Sequence, residues 1–340
     1  MAIIVKKFTP KALDAMFFRV VSPKNKVECN KEVVPDLLLE DVRIIDVSTT
    51  DAGSQCDWTF KSADVALIDE ARFPSLKNTI NKDLKNVCLV PGFYESVNSL
   101  SVRTFMNGYL ERGDHNVFLL DWSVMGKILY TRSYFSLNMM AERTVEALKR
   151  IEGLELIKLD DFHIVGNSMG AHLGSCISRK LGSVRRLTGL DPAGPFFSWD
   201  ISKNVRISKR DAKFVDIIHT DTKRFGLGGK LGHADFYPNA GIGLQPGCKT
   251  CYSLELFNPK RFCSHWRCWR YYCESLGQED AFLAAAANSW EDFKKGNTGN
   301  VIPMGYSTPP DTSGIFFLQT SHEHPYGRGE DGLKYSEETC

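Results

Sequence analysis

Little in this chain is present in excess, and the shortages are informative. Neither sign of charge dominates, since 42 Lys and Arg stand against 41 Asp and Glu. That balance supplies no whole-molecule field for gathering nucleic acid, and no nucleic-acid partner is expected. Long apolar runs are also missing. The longest, Ala281–Ala287, is far shorter than the roughly 20 residues that cross a bilayer, so no transmembrane segment is expected. Internal repeats and low-complexity tracts are absent, which argues against solenoids and long linkers. A secretory leader is not visible either: Met1–Val5 is apolar but brief, and Lys6 and Lys7 follow it instead of preceding it.

What is present suits a globular protein with a real core, with 43% hydrophobic and 24% charged residues. Ten cysteines form an even set crowded toward the last third, which suggests an oxidising compartment. Short β-branched or apolar runs at 42–47, 87–90, 117–120, 162–165, 187–190 and 215–219 read as buried strands. Between them, residues 101–110, 134–151 and 169–181 read as amphipathic helices, with Phe135, Leu137, Met140, Val145, Leu148 and Ile151 at near-helical spacing in the second. This alternation predicts an α/β fold with a mostly parallel sheet and active groups beyond the carboxyl ends of its strands. Residues 1–40 carry weak signals and read as an N-terminal extension to a single domain over 41–335. Residues 226–243 read as a glycine-rich loop, 279–295 as a helical stretch and 315–319 as a last strand.

Gly166-Asn167-Ser168-Met169-Gly170 carries the chemistry. A bare G-x-S-x-G is a weak signal, but this one follows a predicted strand and opens a predicted helix. A sharp strand-to-helix turn leaves the serine hydroxyl exposed, and glycines avoid collisions across the turn. The helix N-terminus adds N–H donors and positive dipole beside a developing oxyanion. A serine nucleophile needs an acid and a base, in the chain order Ser, Asp/Glu, His. Asp191 closes one predicted strand and Asp221 follows another. His219, His233, His265, His322 and His324 all lie downstream, and composition does not choose among them. The spacings Cys248-x2-Cys251 and Cys263-x4-Cys268, with His265, also permit a zinc ribbon.

Blocks in order along the chain resemble the pancreatic lipase family, in particular its short insect branch of neutral lipases and phospholipases A1. They are residues 116–123, ending in Asp121-Trp122-Ser123; the serine turn with Ala171-His172; and 187–195, holding Asp191-Pro192-Ala193-Gly194-Pro195. Residues 214–221, residues 232–239, Pro246-Gly247-Cys248 and Cys263-Ser264-His265 follow. The resemblance implies an α/β-hydrolase fold with helices on both faces of the sheet, and no room for the C-terminal β-sandwich of larger members. It assigns Ser168 as nucleophile, Asp191 as acid and His265 as base, with the backbone N–H groups of Phe93 and Met169 as oxyanion hole. His172, His219 and His233 fall at structural positions.

A disulfide between Cys248 and Cys263 is implied, bounding a lid over 248–263 whose Tyr252, Leu254, Leu256 and Phe257 would meet a lipid interface. The aromatic-basic run 266–272 would either share that role or pack into the core. The short lid and the short loop 222–231 resemble the phospholipase A1 members. The implied partner is a lipid substrate at an interface, the implied location is extracellular, and no cofactor or metal is assigned. Three positions depart from the family pattern: Pro91 and Asn167 each replace a usual His, and Ser208 replaces a carboxylate that helps bind calcium, while Asp211 is kept.

Overall fold

A computed structural model describes residues 15–23, 26–30, 41–44, 57–61, 63–67, 69–127, 129–182, 184–249 and 259–337. In chain order the strands are β1 (Phe17–Val21), β2 (Lys26–Asn30), β3 (Asp41–Ile44), β4 (Asp57–Lys61), β5 (Ala63–Ala66), β6 (Lys85–Val90), β7 (His115–Asp121), β8 (His163–Asn167), β9 (Val184–Leu190), β10 (Ala212–Ile218), β11 (Ala234–Pro238), β12 (Leu283–Ala286), β13 (Val301–Pro303) and β14 (Gly314–Leu318). The helices are α1 (Leu100–Arg112), α2 (Ser123–Gly126), α3 (Tyr130–Gly153), α4 (Met169–Leu181), α5 (Arg267–Gly277) and α6 (Trp290–Lys294).

Among the described residues, 11 strands form one sheet in the order β13-β12-β14-β11-β10-β9-β8-β6-β7-β1-β5. From β7 to β14 every neighbouring pair is parallel, while β1, β5, β12 and β13 close the edges antiparallel. The expected mostly parallel sheet is therefore observed. Central strands such as β7 and β8 are buried along their whole length, so both faces are covered and their residues need not alternate with polar ones. Along β6, Cys88 and Val90 join one core with Leu137, Met140 and Leu148 of α3 and Leu173 and Ile177 of α4. Val87 and Leu89 point to the other core, with Phe105 and Tyr109 of α1 and Tyr271 and Tyr272 of α5. Each such aliphatic side chain removed from water contributes roughly 1.5–3 kcal/mol, which is why the sheet centre is rigid enough to carry a site.

The sequence pattern differs from the structure in five places. Phe17–Val21, assigned to an irregular extension, is a strand paired with both β5 and β7. Its run Phe-Phe-Arg-Val-Val is short, and its extended conformation is fixed by pairing with the two neighbouring strands. Strand β3 pairs with β4, and β4 with β2, in a separate three-stranded sheet, so that run does not join the main one. The glycine-rich stretch 226–243 contains β11, whose residues hydrogen-bond between β10 and β14. Residues 279–295 hold β12 and the short α6 instead of one helix, because pairing of Ala285 and Ala286 with β14 overrides the helix preference of alanine. Phe135 is off-phase on α3 and stands 56% exposed, while Tyr134 turns inward.

Candidate active site

The register of β8 on β9 sets the site. Gly166 pairs with Gly189, so Ser168 and Asp191, each two residues further on, emerge side by side at the carboxyl edge of the sheet. The amide of Ser168 donates to Leu190 O (2.9 Å) and that of Asp191 to Ile218 O (2.8 Å), which ties both turns to the strands beside them. Ser168 itself sits at φ 53°, ψ −119°, a conformation an L-residue rarely adopts and retains only where its surroundings enforce it. The two glycines supply the enforcement. A Cβ on Gly166 would lie 2.5 Å from Ala171 Cα, and one on Gly170 would lie 2.1 Å from Val90 O, so the turn closes only without side chains there.

His265 joins them from the segment just before α5. Its Nε2 lies 2.8 Å from Ser168 Oγ and its Nδ1 2.5 Å from Asp191 Oδ2. Asp191 is fully buried, and its Oδ1 accepts the N–H groups of Thr220 (2.8 Å) and Asp221 (3.1 Å). Gly226 closes over it: a Cβ there would stand 2.4 Å from Asp191 Oδ1. Burial acts to lower the His265 pKa. The hydrogen bond and charge of Asp191, helped by Asp221 and Glu95, outweigh it, and His265 titrates above the ordinary histidine range. Asp221 is also fully buried, and its carboxylate has no well-formed hydrogen bond, the Phe225 amide approaching it only weakly. Burial first and the charge of Asp191 second push its pKa up to about 7, against the weaker downward pull of His265, Arg224 and the Phe225 amide.

The loop after β6 carries Phe93 to the rim of the site. The missing Cβ of Gly92 would stand 3.3 Å from Ser168 Cβ. Pro91 brings no N–H, but its carbonyl accepts from Trp122 Nε1 at 3.0 Å. Glu95 anchors the turn: its carboxylate accepts from the Gly92 N–H, the Ser101 hydroxyl and, at 3.1 Å, Asn167 Nδ2. Two positions that depart from the family pattern, Pro91 and Asn167, thus flank one anchored loop. The sequence reading missed Glu95. An acid two residues past Pro-Gly-Phe was its only signal, and its partner Asn167 is 72 residues away.

A cavity of about 580 Å³ opens over Ser168 and His265, walled by Phe93, Tyr130, Phe225, Phe262, Trp266 and Trp269, with Arg270 among its lining residues. Cys248 and Cys263 are disulfide-bonded, which removes both from any zinc site. Tyr252, Leu254, Leu256 and Phe257, expected in the lid, lie outside the described residues. At the foot of that segment Phe262 stacks on Phe225 at 4.4 Å, so the two short loops meet next to His265. The run 266–272 enters α5, where Trp269, Tyr271 and Tyr272 are buried and Tyr272 OH meets Tyr109 OH at 2.6 Å. The run is thus divided: Tyr271 and Tyr272 pack into the core, whereas Trp266, Trp269 and Arg270 line the cavity.

The remaining histidines have local partners. His172 bridges Ala193 O and the Ile207 N–H, His219 bridges Leu227 O and Asp235, and His233 accepts the Val215 N–H.

A family model described as Lipase matches residues 68–326. Human pancreatic lipase-related protein 2 is 31% identical over 229 residues, covering 63% of this chain and 48% of that protein. Lipase member H-B of Xenopus laevis is 37% identical over 198 residues, covering 56% and 41%. This chain spans about half the length of the curated relatives it matches. Among solved structures, Est1E from Butyrivibrio proteoclasticus with ferulic acid bound overlays 41% of this chain and 70% of its own at a TM-score of 0.31 and 12% identity, too remote to carry an argument. The serine turn in its strand–helix setting and the match across three quarters of the residues point the same way, and the chain belongs to the pancreatic lipase family of α/β-hydrolases.

Proposed function

We propose that the chain hydrolyses carboxylic esters of lipids by acyl transfer through Ser168, acting as a phospholipase A1, with neutral acylglycerols as the alternative substrate. The observation that carries this reading is the unbroken relay from Ser168 Oγ through His265 to the buried Asp191. His265 Nε2 accepts the Ser168 proton as Oγ attacks the ester carbonyl, and Asp191 stabilises the imidazolium and holds its orientation. Backbone N–H groups of Met169, at the first turn of α4, and of Phe93 receive the negative charge that develops on the carbonyl oxygen. His265 then delivers the proton to the departing alcohol. In the second half a water gives its proton to His265, its oxygen attacks the acyl-serine, and Ser168 regains its hydrogen.

The apolar walls of the cavity suit an acyl chain, and Arg270 beside them suits a phosphate. The Cys248–Cys263 bridge suits an oxidising, extracellular setting. Because the base works in its neutral form and titrates above the ordinary histidine range, activity is expected to fall with acidification at a higher pH than for an unperturbed histidine.

The direct test compares wild type with Ser168→Ala on phosphatidylcholine vesicles, triolein emulsion and a short-chain ester. Hydrolysis by wild type alone supports the proposal, and the faster lipid names the class. Equal inactivity of both proteins on all three would favour a lipid carrier on the same fold.

A further inference from the structure

The family resemblance carries with it a structural calcium in the segment before β10, with Asp211 as one of its carboxylates. The residues of this chain do not fit that ion. Ser208 stands in place of the second carboxylate, and its backbone N–H donates to Asp211 Oδ2 at 2.7 Å. Ser175 Oγ donates to the same oxygen at 2.7 Å. The other oxygen, Oδ1, accepts from Arg179 Nε at 2.9 Å. The Arg179 guanidinium also donates to the carbonyls of Asn204 and, at 3.2 Å, Arg206. Asp211 is 2% exposed. A divalent ion would have to displace a guanidinium that already neutralises the only carboxylate and occupies both carbonyls. Among the described residues, no group of three or more His, Cys, Asp or Glu side chains is placed to hold a metal elsewhere.

We infer that the guanidinium of Arg179 is the resident cation of the loop 193–211, replacing a metal ion, so that the cavity wall this loop forms is held without divalent cations. The charge is covalently attached to α4, the helix that begins at Ser168, and it neither exchanges nor titrates in the working range. Its planar fork satisfies a carboxylate and two carbonyls together, which a hydrated lysine ammonium would do less well.

The same face of α4 carries a second post. His172, seven residues before Arg179, uses Nε2 on Ala193 O (2.9 Å) and Nδ1 on the Ile207 N–H (3.1 Å), and its ring lies 3.6 Å from that of Phe197. Burial drives its pKa down to about 3, so it stays neutral and its two bonds survive at any working pH. Ala193 and Pro195, at the start of this loop, line the cavity beside Ser168. Serine helix and cavity wall are therefore joined by side chains at both ends of the loop. This inference rests on the loop geometry and not on the hydrolytic reading.

The test uses the purified full chain and reads calcium binding by equilibrium dialysis and melting temperature in EDTA or in millimolar calcium. Wild type is expected to retain no calcium and to melt at the same temperature in both. Arg179→Met, which leaves the buried Asp211 charge without its counter-cation, is expected to melt about 5 °C lower. The double variant Arg179→Ala with Ser208→Asp is expected to bind one calcium and to melt higher with the ion than in EDTA. One bound calcium per wild-type chain, or a lower wild-type melting temperature in EDTA, overturns the inference. So does a folded double variant that ignores calcium, because its carbonyls would then not form a cation site. If the double variant does not fold, wild-type dialysis and chelation decide alone.

Discussion

Strands β9 and β10 carry two buried charge clusters, built on opposite terms. Midway along them Arg186 grips Asp216 through Nε (2.8 Å) and Nη2 (2.9 Å) and spends its other donors on the carbonyls of Gly305 and Tyr306 (2.6 Å each). Thr188 donates to the same carboxylate (2.9 Å) and meets His163 Nε2 (2.8 Å). Opposite charges are paired, and the acceptors are filled. At the carboxyl ends of the same strands, Asp191 and Asp221 lie near each other with one histidine between them and the solvent cavity, and the buried Asp221 carboxylate has no cation paired with it and no well-formed hydrogen bond. The first cluster holds strands together. The second keeps an excess of negative charge in a buried place, which raises the proton affinity of His265. Saturated networks serve structure, whereas an unbalanced one in a cleft is where proton transfer is to be sought.

Breaking the relay should have the largest effect. Ser168→Ala is expected to lower kcat for ester hydrolysis at least about 10⁴-fold while the melting temperature stays the same or rises slightly. Breaking the saturated pair should do the reverse. Asp216→Ala leaves the Arg186 charge buried and should lower the melting temperature by roughly 5–10 °C, with kcat per folded molecule nearly unchanged. Comparable loss of both quantities in either variant would remove the distinction.

Gly226→Ala probes how tightly Asp191 is held. The new methyl presses on its carboxylate, so kcat should fall about 10–100-fold with a smaller change in melting temperature. An unaffected kcat would show that the orientation of Asp191 is not critical.

Asp221→Asn should give the smallest effect, and it sharpens the contrast by balancing the site. Removing the neighbouring negative charge lowers the pKa of His265, so the acid limb of kcat/KM should move to lower pH by less than about one unit. Stability should change in a window set by the two carboxylate pKa values. The unfolded Asp loses its proton near pH 4, whereas the folded one keeps it to about 7, so wild-type stability falls as pH rises between them. Above pH 7 the penalty is complete, and the variant should melt higher there but not below pH 4. Identical melting profiles across that range would count against a strained carboxylate at 221.

How much of this was legible beforehand varies with the range of the forces involved. The parallel strands β6 to β10 and helix α4 followed from local pattern, because strands covered on both faces must be apolar throughout and the serine turn needs glycine at two positions. Ser168 was legible for the same reason. The edge strands β1, β12 and β13 were not, since short runs such as Leu283–Ala286 acquire their conformation only from the neighbour they pair with. Glu95 was equally invisible: a single acid in a turn has no periodicity, and its meaning comes from Gly92, Ser101 and Asn167 converging on it. His265 could be chosen from five histidines only through family resemblance, because 97 residues separate it from Ser168.

The sequence alone determined the layered α/β character, the turn at Ser168 and the family, since each is written in contiguous residues whose steric and burial demands are local. Tertiary structure alone decided that a second carboxylate, Asp221, is left unpaired beside Asp191 and His265, and that Arg179 stands among Asp211, Asn204 and Arg206. Those outcomes depend on strand register and loop closure, which bring charges from distant parts of the chain to within a few ångströms, where the low dielectric makes their balance matter.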